Sequence, residues 1–262
     1  MTWSPLQYER FADERSQPFY DLMSLVRLRS GLRVVDLGCG TGKLTRVLAE
    51  HLDAARTLGV DSSAEMLAAA AGERAPNLSF VQGDVAAIVN EVDGGREWAG
   101  PWDLVFSNAA LHWVSDHERL LARVSERIAE GGQLAVQVPA NFDHLSHTVA
   151  DEVAREEPFA SALAGALRGN PILSPEAYAV LLDRLGFRAQ HVRLQVYPHS
   201  LASREEVIEW VKGTLLTFYK QRLSDTLYDK FLARYRERLL PLLEDRRPYF
   251  YPFKRILLWG EK

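Results

Sequence analysis

Between Arg33 and Gly42 the chain reads RVVDLGCGTG, a stretch whose chemistry is that of main chain laid open to a ligand. A glycine-rich turn admits a ligand close to the backbone, because no Cβ intrudes at Gly38, Gly40 or Gly42. A nicotinamide fingerprint would set its third glycine three residues after the second, to seat a pyrophosphate on a helix N-terminus; here the three glycines simply alternate. Asp36 stands just before the loop, where its carboxylate repels a pyrophosphate and attracts a cationic ammonium or sulfonium. Asp61 and Asp84 each follow a short apolar run in the same way. Any one of these acids alone reads as a loop or cap carboxylate, but three at strand ends read as a site. Cys39 is a small residue tolerated in the tight loop, with no histidine placed to activate its thiol.

Such a loop needs a strand before it and a helix after it. Arg33 to Leu37 is a strand buried on both faces, and Leu44, Val47, Leu48 and Leu52 form the apolar stripe of a crossover helix. The unit repeats through Thr57 to Val60, Leu78 to Val81, Asp103 to Ser107 and Leu134 to Val138 as strands. Ser62 and Glu65 predict a capping box, Asp116 caps a helix carrying Leu120, Leu121, Val124 and Ile128, and Gly131 and Gly132 stop it. Alternating strands and helices predict a doubly wound, mostly parallel sheet of the Rossmann-like kind. Phe19, Leu22, Leu25 and Val26 predict a helix running to Gly31. After Pro139 the rhythm breaks into irregular and helical chain, with Ala189 to Tyr197 and Lys254 to Trp259 as further strands, seven in all. The organisation expected is a helical cap segment over 1–30, a ligand-binding core over 31–140, and helical cap insertions plus two strands over 141–262. That cap belongs over the sheet's carboxyl edge, where open α/β sheets bind ligands.

With 262 residues, 47% of them hydrophobic and 25% charged, the chain can bury a full core. A net charge of −4 with mixed signs argues against a nucleic-acid partner. No run approaches a membrane span, Met1 to Arg10 lacks the apolar core of a signal peptide, and a single cysteine forms no internal disulfide. No Cys and His cluster shows metal-ligand spacing. These features predict a cytoplasmic monomer or homodimer acting on a small molecule, without metal, membrane or nucleic acid.

Residues Val34 to Gly42, VVDLGCGTG, closely resemble the first motif of class I S-adenosylmethionine-dependent methyltransferases. The resemblance covers about residues 30–140 and implies S-adenosylmethionine as cofactor, leaving as S-adenosylhomocysteine. It implies that Asp61, in GVDSS, binds the ribose hydroxyls and that Asp84, in QGDV, contacts the adenine amino group. Asp36, Gly38, Gly40, Ser62, Val85 and Asn108 complete the implied cofactor set. Trp3 to Pro18, NAALHWV, LAVQVPANFDHLSH, EWVKGT and PFKR extend the likeness over nearly the whole chain, to the trans-aconitate 2-methyltransferase family.

That resemblance implies esterification of a small polycarboxylic acid. A carboxylate is ionised at neutral pH and attacks a methyl carbon without a general base, so positioning and a dry pocket supply the acceleration. Its other acid groups need cationic and hydroxyl partners, and Arg fits carboxylates as a fork. The candidates are Arg15, His147, Tyr178, Tyr197, His199, Lys212 and Arg255, with Trp113 walling the transfer site. Each Arg or Lys taken singly reads equally well as surface charge, and Tyr178 and Trp113 as core. Where the family continues GT with Leu-Arg-Pro, this chain reads GTLLTFY, putting Leu216 and Thr217 where a carboxylate-binding arginine is expected. His112, at the end of the fourth strand, keeps a different chemistry open: as a base it could deprotonate a hydroxylated natural product for O-methylation. A binding module that holds the donor without transfer, and a Rossmann-type oxidoreductase, are the readings from other classes.

Overall fold

In a computed structural model of the chain, which describes residues 12–89 and 98–262, the strands are β1 (Arg33–Leu37), β2 (Arg56–Asp61), β3 (Leu78–Gln82), β4 (Trp102–Asn108), β5 (Ile128–Pro139), β6 (Ala189–Leu201) and β7 (Tyr249–Glu261). They form one sheet in the order β3-β2-β1-β4-β5-β7-β6. The first five run parallel, and β7 enters antiparallel between β5 and β6. The expected seven-stranded, mostly parallel sheet is therefore present, with β5, β6 and β7 longer than their apolar runs.

The helices are α1 (Ala12–Met23), α2 (Lys43–His51), α3 (Ala64–Ala70), α4 (Ala86–Val89), α5 (His117–Ser125), α6 (Leu145–Ala154), α7 (Phe159–Ala162), α8 (Pro175–Arg184), α9 (Glu205–Lys212), α10 (Leu215–Lys220) and α11 (Asp225–Leu239). Side chains alternate across a strand, so successive residues of β1 serve opposite layers. Val34 joins Phe19, Leu22, Leu48 and Phe106 under α1 and α2, whereas Val35 joins Leu120, Val124 and Leu182 under α5 and α8. A further apolar cluster unites α6, α7, α9, α10 and α11 with the ends of β6 and β7, through Val153, Phe159, Ile208, Trp210, Phe231, Tyr251 and Phe253. Because Pro139, at the carboxyl end of β5, pairs with Arg255, this helical mass covers the sheet's carboxyl edge.

Three local expectations change. The first helix ends at Met23, well before Gly31. Ser63, not Ser62, caps α3: Ser63 is extended and its hydroxyl accepts from the Met66 amide at 3.3 Å, while the Ser62 carbonyl accepts from the Gln82 side chain. Gly131 and Gly132 do not stop α5, which ends at Ser125; they lie inside β5, where the register against β4 shifts and Gly131 takes a φ of +69°. Asp116 caps α5 as expected, accepting from the Arg119 amide at 3.1 Å. Among the described residues no helix is long and apolar enough to cross a membrane.

Candidate active site

The turn after β1 is anchored before it is opened. The Gly38 and Cys39 amides both donate to the Val60 carbonyl, at 2.7 and 3.1 Å, pulling the loop onto the end of β2. Gly38 has a φ of +81°, and a Cβ there would sit 2.1 Å from the Ala110 Cβ, so the segment after β4 packs directly on bare backbone. Asp61 ties the floor together: one carboxylate oxygen accepts from the Gly40 amide at 2.9 Å and the other from the Ser63 amide at 2.9 Å. Each oxygen keeps a lone pair for an incoming hydroxyl. Asp84 is exposed and accepts from the Ala86 amide at 2.9 Å, which orients its carboxylate at the rim.

These groups line an open crevice of about 250 Å³ together with Asp36, Ser62, Val85 and Asn108, and with Phe19 and Met66, which carried no sequence signal of a site. Asp36 is buried and takes a hydrogen bond from the Thr45 hydroxyl at 2.6 Å. Burial raises its carboxyl to about 7, against the Thr45 bond that lowers it, and the charge of Asp61 adds to the rise. A cation brought into the crevice would relieve that cost. The side-chain carbonyl of Asn108 is buried with no partner among the described residues. An unclaimed acceptor, three acids and a loop bare of side chains at Gly38, Gly40 and Gly42 fit an amino-acid sulfonium nucleoside far better than an anionic dinucleotide.

Ala109 and Trp113 line this crevice and also a second, smaller chamber of about 60 Å³ under the helical cap. Its walls include His112, Phe142, His147, Arg168, Trp210, Thr214, Leu215, Phe253 and Arg255, with no acidic side chain among the described residues that line it. Arg255, on β7, is only 4% exposed, donates to the Gln137 side-chain carbonyl at 3.3 Å and lies over the Phe253 ring at 4.9 Å. Arg168 donates to the His112 carbonyl at 2.8 Å, and its guanidinium rests 4.8 Å from the Trp113 ring and 5.7 Å from that of Phe142. Burial, reinforced by the Arg168 charge, pulls the His112 imidazole far below its ordinary range. Burial likewise takes His147 down to about 3. Burial favours the neutral form of both imidazoles.

The fold thus brings His112, Trp113, His147 and Arg255 to one chamber, and all eight implied cofactor residues to the adjoining crevice. Four substrate candidates do not reach either lining. Tyr178 is buried between α5 and α8, its hydroxyl 2.5 Å from Nδ1 of His117. Tyr197 packs in the layer beneath α1 and donates to Asp21 at 2.7 Å. Lys212 pairs with Glu209, one helical turn back, at 2.6 Å. His199 packs at a tilt against Trp210, ring centroids 4.7 Å apart, behind the chamber wall. Each of these side chains has found a neighbour on its own element or on the next layer, which residue type alone does not foretell. The Arg15 side chain and residues 1–11 lie outside the described residues.

Arg168 is the residue that sequence reasoning missed. It sits in RGNP, between α7 and α8, a stretch with no periodicity from which to predict its direction. Leu216 is fully buried and the Thr217 hydroxyl donates to the Thr214 carbonyl at 2.5 Å, so the arginine expected near them is absent. Arg168 supplies a guanidinium to the same chamber from another loop.

A methyltransferase-domain family matches residues 8–192. The chain is 46% identical to a trans-aconitate 2-methyltransferase of Deinococcus radiodurans, over 98% of this chain and 97% of that protein. It is 38% identical to one of Mycobacterium tuberculosis, over 99% and 96% respectively. Among solved structures it is similar to the YcgJ protein of Bacillus subtilis, with a TM-score of 0.60 at 15% identity, covering 94% of this chain and 98% of that one. A second is phosphoethanolamine N-methyltransferase 2 of Haemonchus contortus in complex with S-adenosylmethionine, with a TM-score of 0.53 at 18% identity, covering 94% and 52%.

Proposed function

The chain belongs to the S-adenosylmethionine-dependent methyltransferase family, and from that premise we propose that it esterifies one carboxylate of a small polycarboxylic acid, with trans-aconitate the first candidate. The observation that carries this reading is a chamber beside the donor crevice with two largely enclosed guanidiniums, Arg168 and Arg255, and no acid among the described residues that line it. A guanidinium is a planar fork of N–H donors, and a carboxylate matches it in both shape and sign. The names of the two relatives point to the same substrate.

When bound, S-adenosylmethionine supplies a methyl carbon made electrophilic by a positively charged sulfur. Asp61 and Asp84 would hold its ribose and adenine, and Asp36 and Asn108 offer acceptors near its charged end. On the acceptor side the two arginines hold the carboxylates that do not react, which leaves the third turned toward the junction at Ala109 and Trp113. The reacting carboxylate is already ionised and needs no proton removed. Trp113, Phe142, Trp210 and Phe253 keep water from a step in which an anion and a cation become two neutral groups.

O-methylation of a hydroxyl with His112 as base is the second reading, and the observation in its favour is that Nδ1 of His112 is buried without a partner among the described residues. Against it, an imidazole held so far below its ordinary range is a weak base. Release of S-adenosylhomocysteine from purified protein, donor and trans-aconitate tests the first reading: saturable turnover is expected. No turnover above background on any di- or tricarboxylate would overturn it. A steep loss in His112→Ala would favour the hydroxyl chemistry, and retained activity removes it.

A further inference from the structure

At the junction of crevice and chamber one buried amide ties three pieces of the site together. Gln137, on β5 and fully buried, lies opposite Asn108 of β4 in the parallel register, and paired positions share a face of the sheet. It thus stands beside a residue that lines the donor crevice. Its main-chain carbonyl accepts from the Ala109 amide at 2.9 Å, which fixes the turn that lines both cavities. Its side-chain carbonyl accepts from Nη1 of Arg255 at 3.3 Å, and this direction has no alternative, because a guanidinium only donates. That bond also orients the amide: Oε1 faces Arg255, and Nε2 is buried without a partner among the described residues.

A glutamine kept for packing would have both ends of its amide satisfied, since a buried amide with one end idle costs stability that an apolar side chain of the same length does not. Among the described residues the one side-chain hydrogen bond that Gln137 makes is to Arg255. The Arg255 guanidinium rests 4.9 Å from the Phe253 ring, a contact that a cation can make in many rotations. The bond from one of its nitrogens to Gln137 selects a rotation, and with it the N–H groups turned toward the chamber. The chemistry of the holder matters as much as its position. An amide carbonyl takes the bond without bringing a charge, whereas a carboxylate at 137 would pair with the guanidinium and repel an incoming acid. We propose that Gln137 is a positioning residue for the acid substrate, one that aims Arg255 from beside the donor crevice while adding no negative charge to it. The proposal rests on carboxylate methylation as read above.

Steady-state kinetics on trans-aconitate test this. Gln137→Met, which keeps the length and removes the carbonyl, is expected to raise KM roughly tenfold. Gln137→Glu, which keeps the shape and adds a charge, is expected to raise it roughly 100-fold. In both, kcat should change by less than about threefold. In an Arg255→Met background, Gln137→Met should raise KM by less than about twofold more, because the group it aims is gone. The proposal is overturned by a KM within about threefold of wild type in both variants, by full additivity of the two methionine changes, or by a loss that falls on kcat. Thermal unfolding supplies a readout without substrate: Gln137→Glu should lower Tm less with Arg255 in place than in Arg255→Met, where the new carboxylate has lost its partner. Equal losses also overturn the proposal. Absence of wild-type turnover on any polyacid would instead refute carboxylate methylation, and the Tm comparison would still decide whether Gln137 holds Arg255.

Discussion

Replacing Arg168 by methionine removes a guanidinium and leaves its aliphatic length. Its donor contact to the His112 carbonyl at 2.8 Å and its places over Trp113 and Phe142, at 4.8 and 5.7 Å, show a side chain held by its neighbours before any ligand arrives. Truncating one partner of a buried charged pair costs about 2–5 kcal/mol, and partial exposure of Arg168 argues for the lower end, about 2–3 kcal/mol. At one decade per 1.36 kcal/mol, kcat/KM on a tricarboxylate should fall roughly 30- to 150-fold. Arg168→Lys, which keeps the charge and loses the fork, should fall roughly tenfold. Initial rates of S-adenosylhomocysteine formation on tri-, di- and monocarboxylic acids give the comparison, with the loss shrinking as the substrate sheds carboxylates. Calorimetry should find donor affinity within about twofold of wild type, because Arg168 does not line the donor crevice. If Arg168→Met stays within about threefold of wild type on every acid, the chamber is not the carboxylate site.

Donor affinity should weaken as pH falls through about 7, by up to roughly tenfold per unit, because the carboxyl of Asp36 is pushed up to about 7 by burial and a cation needs it ionised. The sign for folding is the reverse of the usual carboxylate: in the ligand-free protein Asp36 holds its proton more tightly than in the unfolded chain, so its contribution to stability falls as pH rises toward 7, measurable as Tm without donor. Asp61→Asn replaces one oxygen by an amide that cannot accept from Gly40 or Ser63, and calorimetry should find the donor bound roughly 10- to 100-fold more weakly. Tyr178→Phe strands Nδ1 of His117 and should cost about 1–3 kcal/mol in denaturant unfolding while kcat/KM is unchanged, since Tyr178 reaches neither lining.

The donor half was legible because its groups are local to strand ends. Asp36, Gly38 and Gly40 follow β1 within a few residues, and Asp61 and Asp84 close β2 and follow β3; parallel pairing then carries all three ends to one edge. A strand's side-chain period and a loop's glycines are written in adjacent residues, so this part of the geometry needs no knowledge of distant contacts. The donor's chemistry is also carried by sign: acids around bare backbone choose a cation.

The chamber under the helical cap was decided elsewhere. Its walls come from the turn after β4, from α6, from the loop before α8, from α9 and α10, and from β7, elements up to about 145 residues apart in the chain between Ala109 and Arg255. Whether Tyr197 faces a ligand or Asp21, or Lys212 a carboxylate or Glu209, depends on which layer each element meets, and residue type is silent on that. Arg168 lies in a loop without periodicity, and only the packing of Trp113 and Phe142 turns it inward. The sequence by itself determined the sheet and the crevice for a cationic donor, through short-range pattern and charge. Which cations line the chamber was settled only when long-range packing buried them, because burial is what fixes a side chain's direction.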